Sequence, residues 1–322
     1  MGVLSATQRQ RFDDEGFLVV EHVLDPEQDI APLLAEYAEV LDGIARALYA
    51  SGSIRSTYAE LPFCDRLTRV CQESGRNFAE YFDLSLPQGN IHYDSPIHVG
   101  PAVFRAITHP RLLGVVEDIV GPEIYSNPVQ HIRMKLPKRA VAAGKHSALV
   151  SWTPWHQDNG VVLEEADRAT ILTVWLALND ATVENGCLQV IPGSHRKGLE
   201  PHCPTAQSLT IPEKLLPLDR ATPLPLKAGS ALLMHQQTIH SSLDNVTDDQ
   251  VRISLDLRYQ PIGQPTGRPA FPGFVARSQA HPERELRDPA AWAKLWYDTR
   301  DRLADRDLGP FNRWSADAAV CA

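Results

Sequence analysis

Two short segments place a histidine and an aspartate one residue apart: TPWHQDNG, with His156 and Asp158, and NIHYDS, with His92 and Asp94. On an extended chain, residues i and i+2 point to one side, so either pair could offer an imidazole and a carboxylate to one ion. A third ligand must come from elsewhere. Two histidines and one carboxylate on one face of an octahedron leave the opposite positions open, which suits a non-haem Fe(II) centre. Context favours the first pair. Trp152, Pro154 and Trp155 would wall off a dry cavity, and LLMHQQTIHSS downstream supplies two further histidines. His92 lies among the prolines and glycines of PQGNIHYDSPIHVGP, which reads as a loop and as a candidate pocket wall.

The downstream histidines, His235 and His240, stand an odd number of residues apart, so on one regular strand they would face opposite ways. His235 ends the apolar run SALLM, whereas His240 opens the polar bend HSSLDN, where a ligand at a strand edge is easily placed; His240 is preferred. Beyond it, QVRISLDLRY carries Arg252 inside an apolar strand pattern. Burying a guanidinium costs several kcal/mol unless an anion meets it. Two readings stay open: an ion pair with Asp248 or Asp249, or a fork for the carboxylate of a substrate or cosubstrate.

These residues need a scaffold. Ser5 can cap a helix through ATQRQRFDDE that Gly16 ends, FLVVEHVL reads as a strand, and Asp25-Pro26 opens a long amphipathic helix. Helical periodicity returns in RLTRVCQESGRNFAEYF and HPRLLGVVEDIVG. After Gly121-Pro122 the texture changes to short β-rich runs: PVQHIRMKL, SWTPWHQD, ATILTVWLAL, GCLQVIPG, SALLMHQ and VRISLDLRYQ. Their number and irregular spacing predict a sandwich or barrel, with helices packed outside a sheet covered on both faces. The turn PGSHRKG reads as an exposed basic tip, and neither His195 nor His202 is a site candidate. The segment FPGFVARSQAHP either returns over the site mouth or packs on the surface; DPAAWAKLWYDTRDRLAD reads as a helix serving core or dimer surface. The expected organisation is one domain over 1–322, with a mainly helical layer at 1–120, a β core at 121–262 and a C-terminal extension at 263–322.

Composition narrows the class. A hydrophobic share of 43% against 22% charged residues supports a sizeable core. The net charge of -9 and the lack of any basic stripe argue against nucleic acid. No leader pattern or membrane-length apolar run appears, so the expectation is a cytoplasmic chain, monomer or homodimer, working on a small molecule. The cysteines Cys64, Cys71, Cys187, Cys203 and Cys321 are odd in number, widely spaced and free of any C-x-x-C pair, and are read as reduced structural thiols.

In the order WHQD, VWLALNDATVENGCLQVIPGSHRKGLEPH, MHQQTIHSSLDN and VRISL, with FDDEGFLVV near the start, the sequence resembles the phytanoyl-CoA dioxygenase family of Fe(II)- and 2-oxoglutarate-dependent oxygenases. The resemblance runs clearly from about Gln130 to Tyr259, and it departs from the family at KLP, in place of K-P-P, and in the loop KRAVAAGKHSALVS. It implies a mainly β fold with added α: a double-stranded β-helix (jelly roll, cupin-like) core under an N-terminal helical layer. It makes His156, Asp158 and His240 the iron ligands and Arg252 the partner of the 2-oxoglutarate C5 carboxylate, with Ser242, Trp175 and His131 as further cosubstrate contacts. The cofactors implied are Fe(II), 2-oxoglutarate and O2, and the products succinate and CO2 beside a hydroxylated small or medium organic molecule. Halogenating relatives replace the carboxylate ligand by a small residue; Asp158 is present here, which favours hydroxylation. The rival function is a jelly-roll binding module or non-redox metal protein, which has no need of a buried Arg252.

Overall fold

The chain enters its fold through a helix marked at both ends. In the computed structural model, which describes residues 2–141, 149–205 and 208–321, α1 (Ala6–Glu15) begins with a capping box between Ser5 and Gln8. It ends at Gly16, whose φ of 80° lets its N–H return to the Phe12 carbonyl. Strand β1 (Phe17–Val20) follows directly. Asp25 then caps a π-helical turn, Pro26–Ile30, that runs into α2 (Ala31–Ala50). Leu33, Tyr37, Leu41, Ile44 and Leu48 recur on the buried side of α2 at helical spacing. Fully burying one such leucine contributes about 1.5–3 kcal/mol. Further helices are α3 (Phe63–Ser74), α4 (Ala79–Phe82), α5 (Pro101–Ile107) and α6 (Pro110–Val120).

The β-rich region contributes β2 (Glu123–Ser126), β3 (His131–Lys135), β4 (Leu172–Ala177) and β5 (Leu188–Val190). After two short strands, β6 (Cys203–Pro204) and β7 (Leu209–Thr210), come β8 (Thr222–Leu224), β9 (Ala231–His235), β10 (His240–Ser242), β11 (Arg252–Pro261) and β12 (Phe274–Ser278). A seven-stranded antiparallel sheet runs β1-β9-β4-β11-β2-β12, with β3 paired to the first half of β11. A second sheet runs β10-β5-β8. Both faces of β4 are buried, in keeping with the unbroken apolar run of its sequence. The N-terminal helices and α7 (Pro289–Leu303) cover one face of the large sheet, and the second sheet lies on the other side with Trp175, Leu188, Val190, Leu232 and Met234 between them. Trp292 and Trp296 of α7 are buried, so this helix contributes to the core. No helix among the described residues is long and apolar enough to cross a membrane.

Four expectations need correction. SWTPWHQD forms no strand; only His156 makes an isolated bridge, and Asp158 opens a 3-10 turn, Asp158–Val161. Pro154 and the tight turn keep the segment out of the ladder. FPGFVARSQAHP neither covers the mouth nor merely lies on the surface, because β12 within it completes the edge of the large sheet. Two of the cysteines read as reduced, Cys203 and Cys321, are joined in a disulfide across 118 residues of sequence. Wide spacing conceals such a partner, since the tail approaches Cys203 only through tertiary packing. NIHYDS does not line the cavity beside the ligand trio: His92 is largely exposed, with Nδ1 against Asp305.

Candidate metal centre and cosubstrate subsite

The isolated bridge is the first device of the site. His156 N–H donates to the His240 carbonyl and His240 N–H to the His156 carbonyl, each at 3.0 Å, so the two side chains stand opposite each other with ring centroids 4.2 Å apart. Each ring donates its Nδ1 hydrogen to a carbonyl two residues back, Pro154 at 2.8 Å and Thr238 at 3.0 Å. That fixes the tautomer and leaves both Nε2 lone pairs for an ion. Burial, with the neighbouring His240 adding to it, keeps His156 well below the usual imidazole range and therefore neutral. Asp158 lies one turn on, its Oδ1 3.9 Å from His156 Nε2. One ligand atom each from His156, Asp158 and His240 fall within 4.8 Å of one another, and all three residues are buried. The donor set, its burial and its fixed tautomers fit a ferrous ion.

The carboxylate of Asp158 is held at both oxygens, by the Arg258 guanidinium at Oδ1 and the Thr173 hydroxyl at Oδ2. Burial alone would raise its pKa, but the Arg258 guanidinium first, with His240 and the Thr173 hydroxyl adding to it, holds it well below the ordinary carboxylate value.

Beside this trio, β3 and β11 present a row of polar side chains on one face. Their register sets Lys135 opposite Arg252, Arg133 opposite Ser254 and His131 opposite Asp256. Arg252 is fully buried; it donates to the Ser254 hydroxyl at 2.7 Å and the Gly186 carbonyl at 3.3 Å, and its guanidinium lies 5.2 Å over the Trp175 ring. Neither Asp248 nor Asp249 reaches it; Asp248 instead faces Arg139. One terminal nitrogen, Nη2, has no partner. Lys135 is also buried and donates to the Ser242 hydroxyl at 2.7 Å and to the Leu243 carbonyl. Burial first, and Arg252 second, push Lys135 down to about 6. A guanidinium and an amine that regains its proton when an anion arrives, directly opposite and lacking a carboxylate ion-pair partner among the described residues, make a site with an appetite for an anion. Gly186 permits this closeness, because a Cβ there would lie 2.6 Å from both the Lys135 side chain and the Leu243 carbonyl.

The sequence-nominated residues thus divide. His156, Asp158 and His240 come together; Trp175, Ser242 and Arg252 gather on the adjoining side, with Trp175 lining a small inner chamber shared with the trio. His131 does not join Arg252. It pairs with Asp83 at 2.8 Å on the wall of an outer cavity of about 520 Å³, whose lining also includes Leu86, Pro87, Arg133, His156 and Arg258. His235 packs against His195, 5.2 Å between rings, away from the trio. Residues 142–148 of the loop where the sequence departs from the family lie outside the described residues. Sequence reasoning missed Lys135, Arg258 and Asp256. For Arg258 and Asp256 the signal was there: RISLDLRYQ alternates polar and apolar from Arg252 to Gln260, with Tyr259 on the apolar side.

A family model described as phytanoyl-CoA dioxygenase (PhyH) matches residues 12–254, three quarters of the chain. The chain belongs to the phytanoyl-CoA dioxygenase family. Membership places it among the non-haem iron, 2-oxoglutarate-dependent oxygenases. A phytanoyl-CoA dioxygenase of Arabidopsis thaliana is 34% identical over 262 residues, covering 76% of this chain and 85% of that protein. Among solved structures, the non-haem monooxygenase ThoJ in its apo form aligns with a TM-score of 0.59 at 22% identity, over 92% of this chain and 96% of its own. EvdO2 from Micromonospora carbonacea var. aurantiaca complexed with 2-oxoglutarate aligns with a TM-score of 0.51 at 22% identity, over 84% and 98%. At such identities the two structures bear on the fold alone. In this phytanoyl-CoA dioxygenase family member, the matched stretch contains the trio and Arg252, while α7 and the tail beyond it lie outside.

Proposed function

We propose that the protein is an Fe(II)- and 2-oxoglutarate-dependent oxygenase that hydroxylates a small or medium organic molecule. His156, Asp158 and His240 would hold the iron, and Arg252, joined by Lys135, would receive the distal carboxylate of 2-oxoglutarate, with Ser242 and Trp175 framing it. The observation that carries this reading is the buried Arg252 guanidinium, one nitrogen unsatisfied, opposite the buried Lys135 amine and beside a buried two-histidine, one-carboxylate cluster. Bound iron supplies the reaction of O2 with 2-oxoglutarate that yields succinate and CO2 and oxidises the substrate. The chain supplies the rest: fixed histidine tautomers, a carboxylate oriented at both oxygens, and a walled inner chamber that limits water. The outer cavity, open to the same His156 and Arg258, has the volume of a small-ligand site and is the place for substrate. The two facing sheets are read as the two sides of a double-stranded β-helix, and the helical layer, β core and C-terminal extension as one domain.

Anaerobic addition of Fe(II) and 2-oxoglutarate should give the weak visible charge-transfer band of the chelate, and His156→Ala should abolish it. A wild-type chain without the band contradicts the reading. Succinate release across a substrate panel, against turnover without substrate, then separates an oxygenase from a metal-binding module on the same scaffold.

A further inference from the structure

The turn that carries Asp158 ends with carbonyls pointing away from its own backbone, and they are met from the far end of the chain. Arg313 donates to the carbonyls of Asn159 at 3.3 Å and Val162 at 3.2 Å while pairing with Asp167 at 2.6 Å. Trp314 Nε1 donates to the Gly160 carbonyl at 2.6 Å. The Val161 carbonyl takes Arg268 at 2.8 Å, and the guanidinium of Arg268 is in turn covered by the ring of Phe311 at 5.0 Å. Four consecutive carbonyls after the aspartate are therefore satisfied, directly or through one residue, by the segment beyond α7.

The same segment reaches the residue between His156 and Asp158. The Trp314 ring stacks on His202, 5.3 Å and 27° apart, and His202 Nε2 accepts the Gln157 N–H at 2.9 Å while its Nδ1 donates to the Glu200 carbonyl at 2.8 Å. Burial keeps His202 down at about 4, so the accepting nitrogen stays unprotonated. Gly160 lies so close to this ring that a Cβ would come within 2.2 Å of it. Asn312 lines the outer cavity, and so do Pro204 and Thr205. At Cys203, the residue before Pro204, the tail is tied down covalently by the bond to Cys321.

We propose that residues 305–321 form a strap that positions the His156–Asp158 loop, and that the Cys203–Cys321 bond is its latch. The proposal rests on the preceding functional reading only in calling this loop a metal-ligand loop; the contacts stand without it. A dithiol reductant opens the latch: the S–S bond breaks, an S–H forms on each cysteine, and the two electrons and two protons come from the dithiol, which closes into its own disulfide. Cys321 is partly exposed, whereas the thiols of Cys71 and Cys187 are buried. Arg313 and Trp314 are positioning residues, since they touch the loop's backbone and not the ligand side chains.

The test uses the full chain without metal, oxidised or treated with dithiothreitol, and reads backbone hydrogen exchange. Opening the latch should speed exchange at residues 157–162 about tenfold more than in β4 and β11, as expected for a local rather than global opening. Cys321→Ser should reproduce this without reductant, and Trp314→Phe, which keeps a stacking ring but loses the donor to Gly160, should reproduce part of it with the latch closed. Co(II), followed through its visible spectrum, should bind the unlatched chain about tenfold more weakly, the range for loss of groups that orient ligands. Unchanged exchange at 157–162, or a rise spread evenly over β4 and β11, overturns the proposal. Failure of the oxidised chain to bind Co(II) would instead count against the metal reading, and the exchange result would still decide the strap.

Discussion

At the scale of single residues, the site is an arrangement of buried charges that need one another. Asp158 is 3% exposed and leans on Arg258, which is equally buried. Removing one partner of a buried pair leaves the other uncompensated at a cost of about 3–5 kcal/mol. Arg258→Gln should therefore lower the urea stability of the metal-free chain by that order, and a divalent ion should stabilise the variant more than the wild type. Equal stabilisation by metal would mean that Arg258 does not balance this carboxylate. Lys135 makes a second case. Its proton is lost at about 6 in the folded chain, against 10.5 for a free ammonium. Between those values the unfolded chain holds the extra proton, so this residue makes stability rise with pH across that window. A carboxylate seated beside it raises its pKa, so binding of 2-oxoglutarate at about pH 7.5 should take up nearly one proton and weaken as pH rises above 6. Calorimetry in two buffers of different ionisation enthalpy measures the uptake. Lys135→Met should remove it, and a buffer-independent heat in the wild type would refute it.

At the scale of elements, the sequence announced most of what forms and little of what docks. Ser5, Gly16 and Asp25-Pro26 set helix boundaries through local chemistry, and these boundaries appear where capping demands. The ligand trio was legible because His156, Asp158 and His240 differ in type from their apolar surroundings. Lys135 was not, because its importance comes from standing opposite Arg252 in a register that no single strand reveals. The disulfide was hidden for the same reason. Helix α7 gives a test of docking: Trp292, 1% exposed, packs against Phe104 with centroids 5.6 Å apart, whereas Leu295 is 38% exposed. Trp292→Ala should cost about 3–5 kcal/mol in urea unfolding, while Leu295→Ala should stay within about 0.5 kcal/mol. Similar losses for both would mean that α7 does not pack as described.

At the scale of the whole molecule, the large sheet is closed by chain from both directions. β1 covers β9 along Phe17 to Val20, so a strand laid down early shields one that arrives more than 200 residues later. Deleting residues 2–20 should leave Ala231–His235 as an apolar edge, and light scattering should show larger species than the full chain forms at equal concentration. An unchanged mass distribution would show that β1 has no such shielding role. The centre of the same sheet holds a different constraint. Along β11, Arg252, Ser254, Asp256 and Arg258 serve the site while Ile253, Leu255, Leu257 and Tyr259 fill the core. Such a strand has a reading frame. Exchanging one residue on either side alters one neighbourhood, but inserting or deleting a single residue swaps the two sides, placing guanidinium groups among the helices and aliphatic chains beside the ligand trio. Lineages carrying this fold should therefore vary freely in the length of their loops and the identity of their pocket residues, yet keep the count between Arg252 and Arg258 unchanged.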